Sequence, residues 1–448
     1  MSELIGSRAA KHNKQTIVTG MLAFTMLLLF AFYANLRWAN EYPAFEKAKE
    51  TADTPSYIRI SGEEILSTRI WANTRPPMFP LLLKINNADK IKVAAFHTAF
   101  SIFAWGMLAL SFSFSMKSLL RPLAFGLILA LSLERHIAGW DVVMLTESLS
   151  TSFMALFIAA WLWLLRGWSW GKFVVLCLVA IAWAFTRDTN GWVLLMNAGL
   201  ILLGVLFFGA RKRYLAVAVV FVVIFALSNL SANIGHRWYF PFQNVLAKRI
   251  LTDERALGFF ADCGMPVTPK LLSLAGGDSL SDDRAFYTAP ELEPYRLWMY
   301  DNGKSCYVRW LVSRPLQSLQ EPWNDLEWLL AFEDIDFFYP QRYQPILPWY
   351  VERILYPQDA LLWLWILVTV AALVAILKKA WGSNKAWLVF IGLVLLIYPH
   401  IFIVWHGDVP GTHRHALTIG LQFVLGFWMF WFLALEAVLK RFRVPYFV

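Results

Sequence analysis

The sequence is poor in charge and lacks the short motifs of nucleotide-dependent and zinc-dependent enzymes. Only 16% of its 448 residues are charged, whereas an average soluble domain is roughly 25% charged. No GxxxxGK[ST] or GxGxxG stretch is present to hold nucleotide phosphates, and neither an HExxH motif nor a pair of CxxC motifs is present to bind zinc. ATP-driven transport and cytosolic nucleotide-sugar chemistry are therefore disfavoured.

Long apolar runs account for the low charge and predict an all-α polytopic membrane protein. Hydrophobic residues make up 58% of the chain, and the mean hydropathy is +0.51. A run of about 18 or more apolar residues is long enough to cross a bilayer, and the sequence holds about ten candidates. They lie near residues 16–36, 93–115, 119–134, 143–165, 173–186, 191–210, 214–233, 359–377, 386–405 and 416–437.

The distribution of basic residues predicts the orientation of the chain. Clusters of Lys and Arg fall at every second boundary between predicted spans, which is expected if all of them face the cytoplasm. The clusters begin at Arg8, Lys117, Arg166, Arg211, Lys378 and Lys440. Both termini are thus predicted to be cytoplasmic. Because the +9 net charge is spread over these loops, no nucleic-acid partner is predicted.

The predicted spans divide the chain into three parts. Residues 1–235 form an N-terminal transmembrane module with an extracytoplasmic loop at 37–92, and residues 359–448 form the C-terminal transmembrane helices. Residues 236–358 are too polar to span, and we predict a small, mostly helical extracytoplasmic domain on the membrane surface. Its stretch LQSLQEPWNDLEWLLAF favours an amphipathic helix.

The three cysteines are divided between this domain and the membrane. Cys263 and Cys306 lie in the segment predicted to face an oxidising compartment, which makes a disulfide between them a candidate. The sequence does not give their Cα separation, so the pairing stays open. Cys177 lies within a predicted span, where it is expected to be a small packing residue.

Ionisable residues at the outward ends of the spans are the candidate functional residues, because charged groups near or within a bilayer are costly. Asp53 and Tyr57 lie in DTPSY, where the alternative role of Asp53 is to cap a helix. Arg75 begins RPPMFPLLLKI, whose prolines predict an extended or kinked entry into apolar sequence. Its guanidinium is a candidate phosphate ligand; the alternative is a rigid loop-to-helix junction.

Two further stretches place carboxylates and arginine at the outward face. Asp141 and Glu147 lie six positions apart in ERHIAGWDVVMLTESLS. Two carboxylates in one outward turn favour function over simple capping. In FTRDTNGW, Arg187 is a candidate phosphate ligand, with a local ion pair to Asp188 as the alternative.

The stretch WHGDVPGTHRHALTIG precedes the last predicted span and is dense in polar groups. His413, Arg414 and His415 lie there, in a spacing that matches no metal signature. Arg414 falls near a predicted helix N-terminus, where a guanidinium and free backbone N–H groups together favour an anion.

With these stretches in this order, the chain resembles the GT-C superfamily of integral-membrane glycosyltransferases, which use polyprenyl-phosphate sugars. The protein O-mannosyltransferases and the bacterial aminoarabinose and arabinofuranosyl transferases belong to that superfamily. DTPSY follows the first helix, where the family places its catalytic carboxylate, and RPPMFPLLL resembles the family's proline-rich re-entry, with Phe79 in place of the common Tyr. LTESLS, TRDTN and the RH before the last helix resemble three later family motifs.

The resemblance implies a fold, a reaction and a cellular location. The fold is a GT-C-like bundle of about ten transmembrane helices with extracytoplasmic loop 1 and the small extracytoplasmic domain. The reaction is inverting transfer of a sugar from a polyprenyl-phosphate donor to a hydroxyl of a protein or cell-envelope glycan. The enzyme would lie in a bacterial inner membrane, among its lipids, with the active site on the extracytoplasmic side.

The resemblance also implies roles for the candidate residues. Asp53 would be the catalytic base, taking the proton of the acceptor hydroxyl. The resemblance assigns no metal ligand and fixes no cofactor. Some relatives use a divalent cation, and Asp141 and Glu147 would either bind such a cation or orient sugar hydroxyls. The remaining candidates would bind substrate, the arginines through phosphate: Tyr57, Arg75, Asp141, Glu147, Arg187, His413, Arg414 and His415.

Two other classes of protein remain as alternatives. One is another lipid-linked enzyme, such as a glycan polymerase, a ligase or a phosphotransferase. The other is a lipid or sugar transporter, for which polar residues at mid-bilayer and repeated halves are typical.

Overall fold

The computed structural model describes a defined part of the chain. The backbone is described for residues 2–117, 120–208, 212–279, 281–331, 339–340, 343–356, 360–380, 384–407, 409 and 413–441. Side chains are described at these positions except 2–16, 208, 281–283, 327–328, 331, 360, 374–380, 413–414 and 441. Within this part the regular structure is helical, and the β structure is one isolated bridge between Lys49 and Val143.

In the described residues up to 234, eleven helices form the first half of the fold. In chain order they are α1 (Ser2–Glu41), α2 (Thr54–Ser61), α3 (Thr68–Trp71), α4 (Met78–Ile85), α5 (Lys90–Ser113), α6 (Leu120–Ser132), α7 (Arg135–Ala138), α8 (Glu147–Arg166), α9 (Trp170–Ala184), α10 (Asp188–Phe208) and α11 (Tyr214–Ile234). Short 3₁₀ turns follow α1 and α7, at Tyr42–Lys47 and Gly139–Val142.

Shorter helices follow: α12 (Tyr239–Val245), α13 (Glu254–Asp262), α14 (Pro269–Leu272), α15 (Ser281–Thr288), α16 (Glu293–Trp298), α17 (Lys304–Ser313), α18 (Pro315–Asn324), α19 (Leu326–Ala331) and α20 (Trp349–Leu355). The long helices α21 (Ala360–Ala380), α22 (Ala386–Gly407) and α23 (His413–Arg441) come after them. One 3₁₀ turn and two π turns are interspersed, at Pro290–Leu292, Leu246–Ile250 and Met299–Gly303.

The long helices make the chain a multi-pass, all-α membrane protein. Among the described residues, seven helices are long and apolar enough to cross a bilayer: α1, α5, α8, α10, α11, α22 and α23. The helices α6 and α7 form a pair bent by 59°, which makes an eighth span if it is counted as one. The predicted spans at 173–186 and 359–377 fall on α9 and α21, whose apolar helical stretches are shorter.

The helix boundaries that carry basic residues lie together at one end of the helix bundle, which we call the basic end. Asn384, just before α22, donates to the carbonyl of Ser115 after α5 and to the carboxylate of Glu436 on α23. The guanidinium of Arg166 lies over the ring of Phe114, and that of Arg213 lies over the ring of Trp168. Loops far apart in sequence therefore meet at one face.

The opposite end gathers the start or finish of the same helices and all of the candidate site residues. The N–H of Met78 at the start of α4 donates to the carbonyl of Phe185 at the end of α9, at 3.2 Å. Ser231 on α11 donates to the carbonyl of Trp71 on α3. Loop 37–92 is thereby held against the ends of α9 and α11.

The described residues have two hydrophobic cores. The larger one unites the long helices and includes residues from 326 to 356, such as Leu330 and Tyr356. The smaller one is built almost entirely from residues 239–310, around Phe260, Phe286 and Tyr295. Of the predicted domain 236–358, the first part has a core of its own and the last part packs on the transmembrane helices.

The smaller core carries a disulfide, which answers the question that the sequence left open. Cys263 and Cys306 are joined, with their Cα atoms 6.2 Å apart, a separation within the usual range. Their bridge closes a 43-residue separation between α13 and α17. The third cysteine, Cys177, lies partly buried on α9.

The predicted amphipathic helix at residues 316–332 is two helices, α18 and α19, separated at Asp325. The Asp325 carboxylate accepts a hydrogen bond from the indole of Trp405 on α22, at 2.7 Å. On the exposed side of α17 and α18, Val312, Leu316 and Trp323 expose 70%, 82% and 54% of their surface. An apolar face of this length, next to a membrane span, fits the bilayer interface.

Candidate functional site

Asp53 and Arg75 form an ion pair within loop 37–92. An Nη of Arg75 lies 2.5 Å from Oδ1 of Asp53, and Nε of Arg75 donates to Oγ of Ser56 at 2.9 Å. The side chains are 26% and 20% exposed, respectively. The carboxylate is therefore fixed by a charge-assisted hydrogen bond and still reachable from outside the protein.

The N-cap role considered for Asp53 does not account for its side chain. Asp53 occupies the residue before α2, but its carboxylate makes no capping hydrogen bond to that helix. Arg75 approaches it because the following Pro76 and Pro77 lack N–H groups and delay helix α4 until Met78. The prolines thus set the direction from which the guanidinium reaches Asp53.

A row of aromatic rings packs against the Arg75 side of the Asp53–Arg75 pair. The guanidinium of Arg75 lies 5.2 Å from the centre of the buried Tyr57 ring. Tyr57 packs edge-on against Phe79, and Phe79 stacks on His97, at 5.2 and 5.7 Å between ring centres. The predicted substrate-binding residue Tyr57 therefore positions Arg75.

A second cluster joins Glu147, Arg187 and His415. The two guanidinium nitrogens Nη1 and Nη2 of Arg187 lie 3.4 Å from Oε1 of Glu147 and 2.9 Å from Nδ1 of His415. The Glu147 side chain is 2% exposed and that of Arg187 10% exposed. Since a guanidinium only donates hydrogen bonds, Nδ1 of His415 is the acceptor and the imidazole carries its proton on Nε2.

The two clusters are neighbours. The hydroxyl of Thr54, next to Asp53, donates to the carbonyl of Met144 at 3.0 Å. Met144 is three residues before Glu147, and three residues of chain span at most about 11 Å. The bond between Met78 and Phe185 makes a similar link between the chain after Arg75 and the chain before Arg187.

Of the nine predicted site residues, six lie in these two clusters. They are Asp53, Tyr57, Arg75, Glu147, Arg187 and His415. The helix α23 begins at His413, so the backbones of His413 and Arg414 open that helix, while both side chains lie outside the described part of the structure.

The remaining predicted residue, Asp141, is part of a buried network. Its Oδ2 accepts from Arg37 at 2.8 Å and its Oδ1 accepts from Ser148 at 2.5 Å. Arg37 also contacts Glu41 at 3.1 Å, and all three charged groups are at most 1% exposed. With both oxygens bonded inside the protein, Asp141 braces α1 against the turn before α8.

Sequence reasoning missed the basic partners of two of the acidic residues it considered. Asp188 does not face Arg187 as a local pair; it accepts from Nε of Arg237, 2.9 Å away, after α11. Arg37 holds Asp141 from 104 positions away. The signal for Arg37 was present, because an arginine inside an apolar run of α1 is costly unless it is paired.

In the part of the chain that the structure describes, the donor set does not fit a divalent cation. Among the described residues no group of three or more His, Cys, Asp or Glu side chains is arranged to hold a metal ion. Asp53 and Glu147 each face an arginine, and a cation there would meet a fixed positive charge. The chemistry considered below therefore uses no step through a metal.

One stretch outside the site has the spacing of a serine nucleophile motif. Residues 167–171 read GWSWG, but a nucleophile elbow places its serine between a strand and a helix. Here Ser169 lies between α8 and α9 at the basic end, and its Oγ caps α9 by accepting from the N–H of Lys172. This serine is explained by the helix start.

The two clusters together offer two carboxylates, two guanidinium groups and a neutral imidazole at one end of a membrane bundle. Glu147, Arg187 and His415 also lie at the starts of the long helices α8, α10 and α23, whose N-terminal ends favour negative charge. Such a site can hold an anion beside a general base. No protein-family model matches this chain, and no curated protein matches it in sequence.

Proposed function

We propose that the protein is an inverting membrane glycosyltransferase that moves a sugar from a polyprenyl-phosphate donor to an acceptor hydroxyl of a protein or cell-envelope glycan. The observation that carries the proposal is the Asp53–Arg75 pair, held beside the Glu147–Arg187–His415 cluster. The resemblance of the sequence stretches around these residues to the GT-C superfamily supports the same function.

The proposed reaction is a single displacement at the anomeric carbon. The acceptor oxygen forms a bond to that carbon as its proton passes to the Asp53 carboxylate, and the bond from the carbon to the phosphate oxygen breaks. The polyprenyl phosphate leaves with the electron pair. One base and one leaving group imply inversion of configuration at the sugar.

Arg187 is the proposed principal ligand of the donor phosphate. It lies where three helix starts converge, so backbone dipoles and guanidinium act on an anion together. Arg75 would fix the orientation of the Asp53 carboxylate and would also contact the phosphate oxygen that is bonded to the sugar. The neutral imidazole of His415 would donate from Nε2 to a phosphate or sugar oxygen.

The proposed orientation places the site on the extracytoplasmic face of a bacterial inner membrane, with both termini in the cytoplasm. The basic end, with Arg166 and Arg213, would then face the cytoplasm, as the positive-inside rule expects. The disulfide between Cys263 and Cys306 supports this, because such bonds persist in oxidising compartments.

Transfer by the purified full-length protein in lipid nanodiscs tests the proposal. Labelled polyprenyl-phosphate sugars would be supplied with candidate acceptors, and the labelled product counted for the native protein, Asp53→Asn and the control Asp301→Asn. Asp301 is an exposed carboxylate outside the site. We expect transfer by the native protein and the control, and a loss of at least about a hundredfold in Asp53→Asn. Native activity in Asp53→Asn would refute the role of Asp53, and no transfer with any donor would refute the function.

A further inference from the structure

A polar cavity lies between α7 and α20. Its volume is about 630 Å³, within the usual range of small-molecule sites. It is lined by Arg135, Gln344, Leu347, Trp349, Glu352 and Arg353, and none of these belongs to the proposed reaction site.

The cavity carries an excess of positive charge. Arg353 is exposed, and its guanidinium lies 5.6 Å from the centre of the Trp349 ring. Arg135 is 30% exposed at its side chain and lies 3.6 Å from Glu352. The cavity lining therefore has two guanidinium groups and one carboxylate, and that carboxylate also accepts from the backbone N–H of Arg135 at 3.2 Å.

The cavity lies next to the ends of apolar helices, which is where a lipid headgroup would lie in a bilayer. The short helix α20 directly precedes the apolar helix α21, and Arg135 directly follows the apolar helix α6. Trp349, Tyr350 and Ile354 expose 69%, 55% and 57% of their surface on α20. Exposed Trp and Tyr beside the end of a membrane helix are typical of the bilayer interface, where lipid phosphates lie.

We propose that this cavity binds the phosphodiester headgroup of an anionic diacyl phospholipid of the phosphatidylglycerol type. Arg353 and Arg135 contact the phosphate oxygens by charge-assisted hydrogen bonds, and Trp349 covers the glycerol backbone. Glu352 and Gln344 are placed to accept hydrogen bonds from the headgroup hydroxyls. The bound lipid lies against α7 and α20 and is not a substrate, so the inference is independent of the proposed function.

Glu352 makes the predicted binding depend on pH. Burial, reinforced by the nearby Glu134, raises the pKa of Glu352 to about 7 despite the opposing effects of Arg135 and His136. Glu134, Arg135 and His136 face it from α7, and Arg353 and Tyr356 accompany it on its own segment. Protonation of Glu352 removes its negative charge from the cavity, so lipid affinity is expected to rise as the pH falls through 7.

Native mass spectrometry of the full-length protein in detergent tests the inference. Equal amounts of phosphatidylglycerol and phosphatidylcholine would be titrated at about pH 6 and about pH 8, in the native protein, Arg353→Ala and the control Arg255→Ala. Arg255 is an exposed arginine of α13, away from the cavity. We expect Arg353→Ala to weaken the tightest phosphatidylglycerol site by about fivefold or more and Arg255→Ala to leave it unchanged.

Three results would overturn the inference. The first is equal binding of phosphatidylglycerol by the native protein and Arg353→Ala, with unchanged thermal unfolding of both. The second is equal affinity of the native protein for phosphatidylglycerol and phosphatidylcholine. The third is displacement of the lipid by inorganic phosphate at the concentration of the lipid, which would identify a soluble phosphate as the ligand. The variant Glu352→Gln adds a positive control, since it should bind phosphatidylglycerol equally at both pH values.

Discussion

Nη2 of Arg187 lies 2.9 Å from Nδ1 of His415, although the two residues are 228 positions apart. The contact joins the start of α10 to the start of α23, and the bond from Arg187 to Glu147 adds the start of α8. One guanidinium therefore holds three helix starts in register. Nη1 contacts Glu147 and Nη2 contacts His415, so the orientation of the guanidinium is fixed before an anion binds.

Replacing Arg187 by lysine is predicted to weaken donor binding. A lysine keeps the charge but presents one ammonium instead of a planar fork, so it does not hold Glu147 and His415 together. In the proposed transfer reaction we expect the donor KM to rise about tenfold, with a smaller change in kcat. Steady-state transfer with varied donor measures this, with Arg255→Lys as the matched control. An unchanged donor KM would place the phosphate elsewhere.

The Arg37–Asp141 pair is predicted to stabilise the fold. Both side chains are buried at a distance of 2.8 Å, so Asp141→Asn leaves a buried guanidinium with less compensating charge. Removing one partner of a buried pair costs about 3 kcal/mol or more. The free energy of unfolding in detergent, from urea denaturation followed by circular dichroism, should fall by this amount.

The exposed Asp301→Asn is the control for that measurement and should change the free energy of unfolding by less than about 0.5 kcal/mol. If both variants unfold at the same urea concentration as the native protein, the buried network does not brace the bundle.

The disulfide predicts which face of the membrane each end occupies. After treatment with a membrane-impermeant reductant, the partly exposed Cys263 should react with an impermeant maleimide in intact spheroplasts, whereas Cys306 is fully buried. The control is Ser169→Cys in a Cys263→Ser, Cys306→Ser background, because Ser169 is exposed at the basic end. That cysteine should react only after permeabilisation. The reverse pattern of labelling would invert the proposed orientation.

Glu352 predicts a pH dependence of stability. Its pKa of about 7 in the folded protein, raised by burial, lies above the value of about 4.3 for an unperturbed glutamate. The folded state therefore binds a proton that the unfolded state lacks, so the stabilising contribution is full below about pH 4.3 and is lost as the pH rises through 7.

Thermal unfolding of the native protein and Glu352→Gln at about pH 5 and about pH 8 measures this contribution. The glutamine variant should gain stability relative to the native protein as the pH is raised. A difference between the two proteins that is the same at both pH values would contradict the raised pKa.

Much of the fold follows from local sequence. Apolar runs alone located α5, α8, α11 and the other long helices, because the length of a membrane span and its low charge are properties of one segment. The sequence named Cys263 and Cys306 as the candidate pair but left their pairing open, because their Cα separation of 6.2 Å depends on the fold. The break at Asp325 was not predicted, because it depends on the distant indole of Trp405.

The candidate site shows the limit of sequence reasoning in another way. The residue types at Asp53, Arg75, Glu147 and Arg187 stood out because charge is rare in this chain. The partners of Asp188 and Asp141 did not, because these ion pairs join distant parts of the chain: Asp188 bonds to Arg237 rather than to its neighbour, and Asp141 bonds to a residue of α1. Periodicity and spacing carry no information about such contacts.

The most direct test of the account compares sugar transfer and donor binding in Asp53→Asn. If Asp53 is the general base, the variant should bind the polyprenyl-phosphate donor with native affinity while transfer falls at least about a hundredfold. Transfer at the native rate by the folded variant would contradict the account, because the proton of the acceptor would then have another destination.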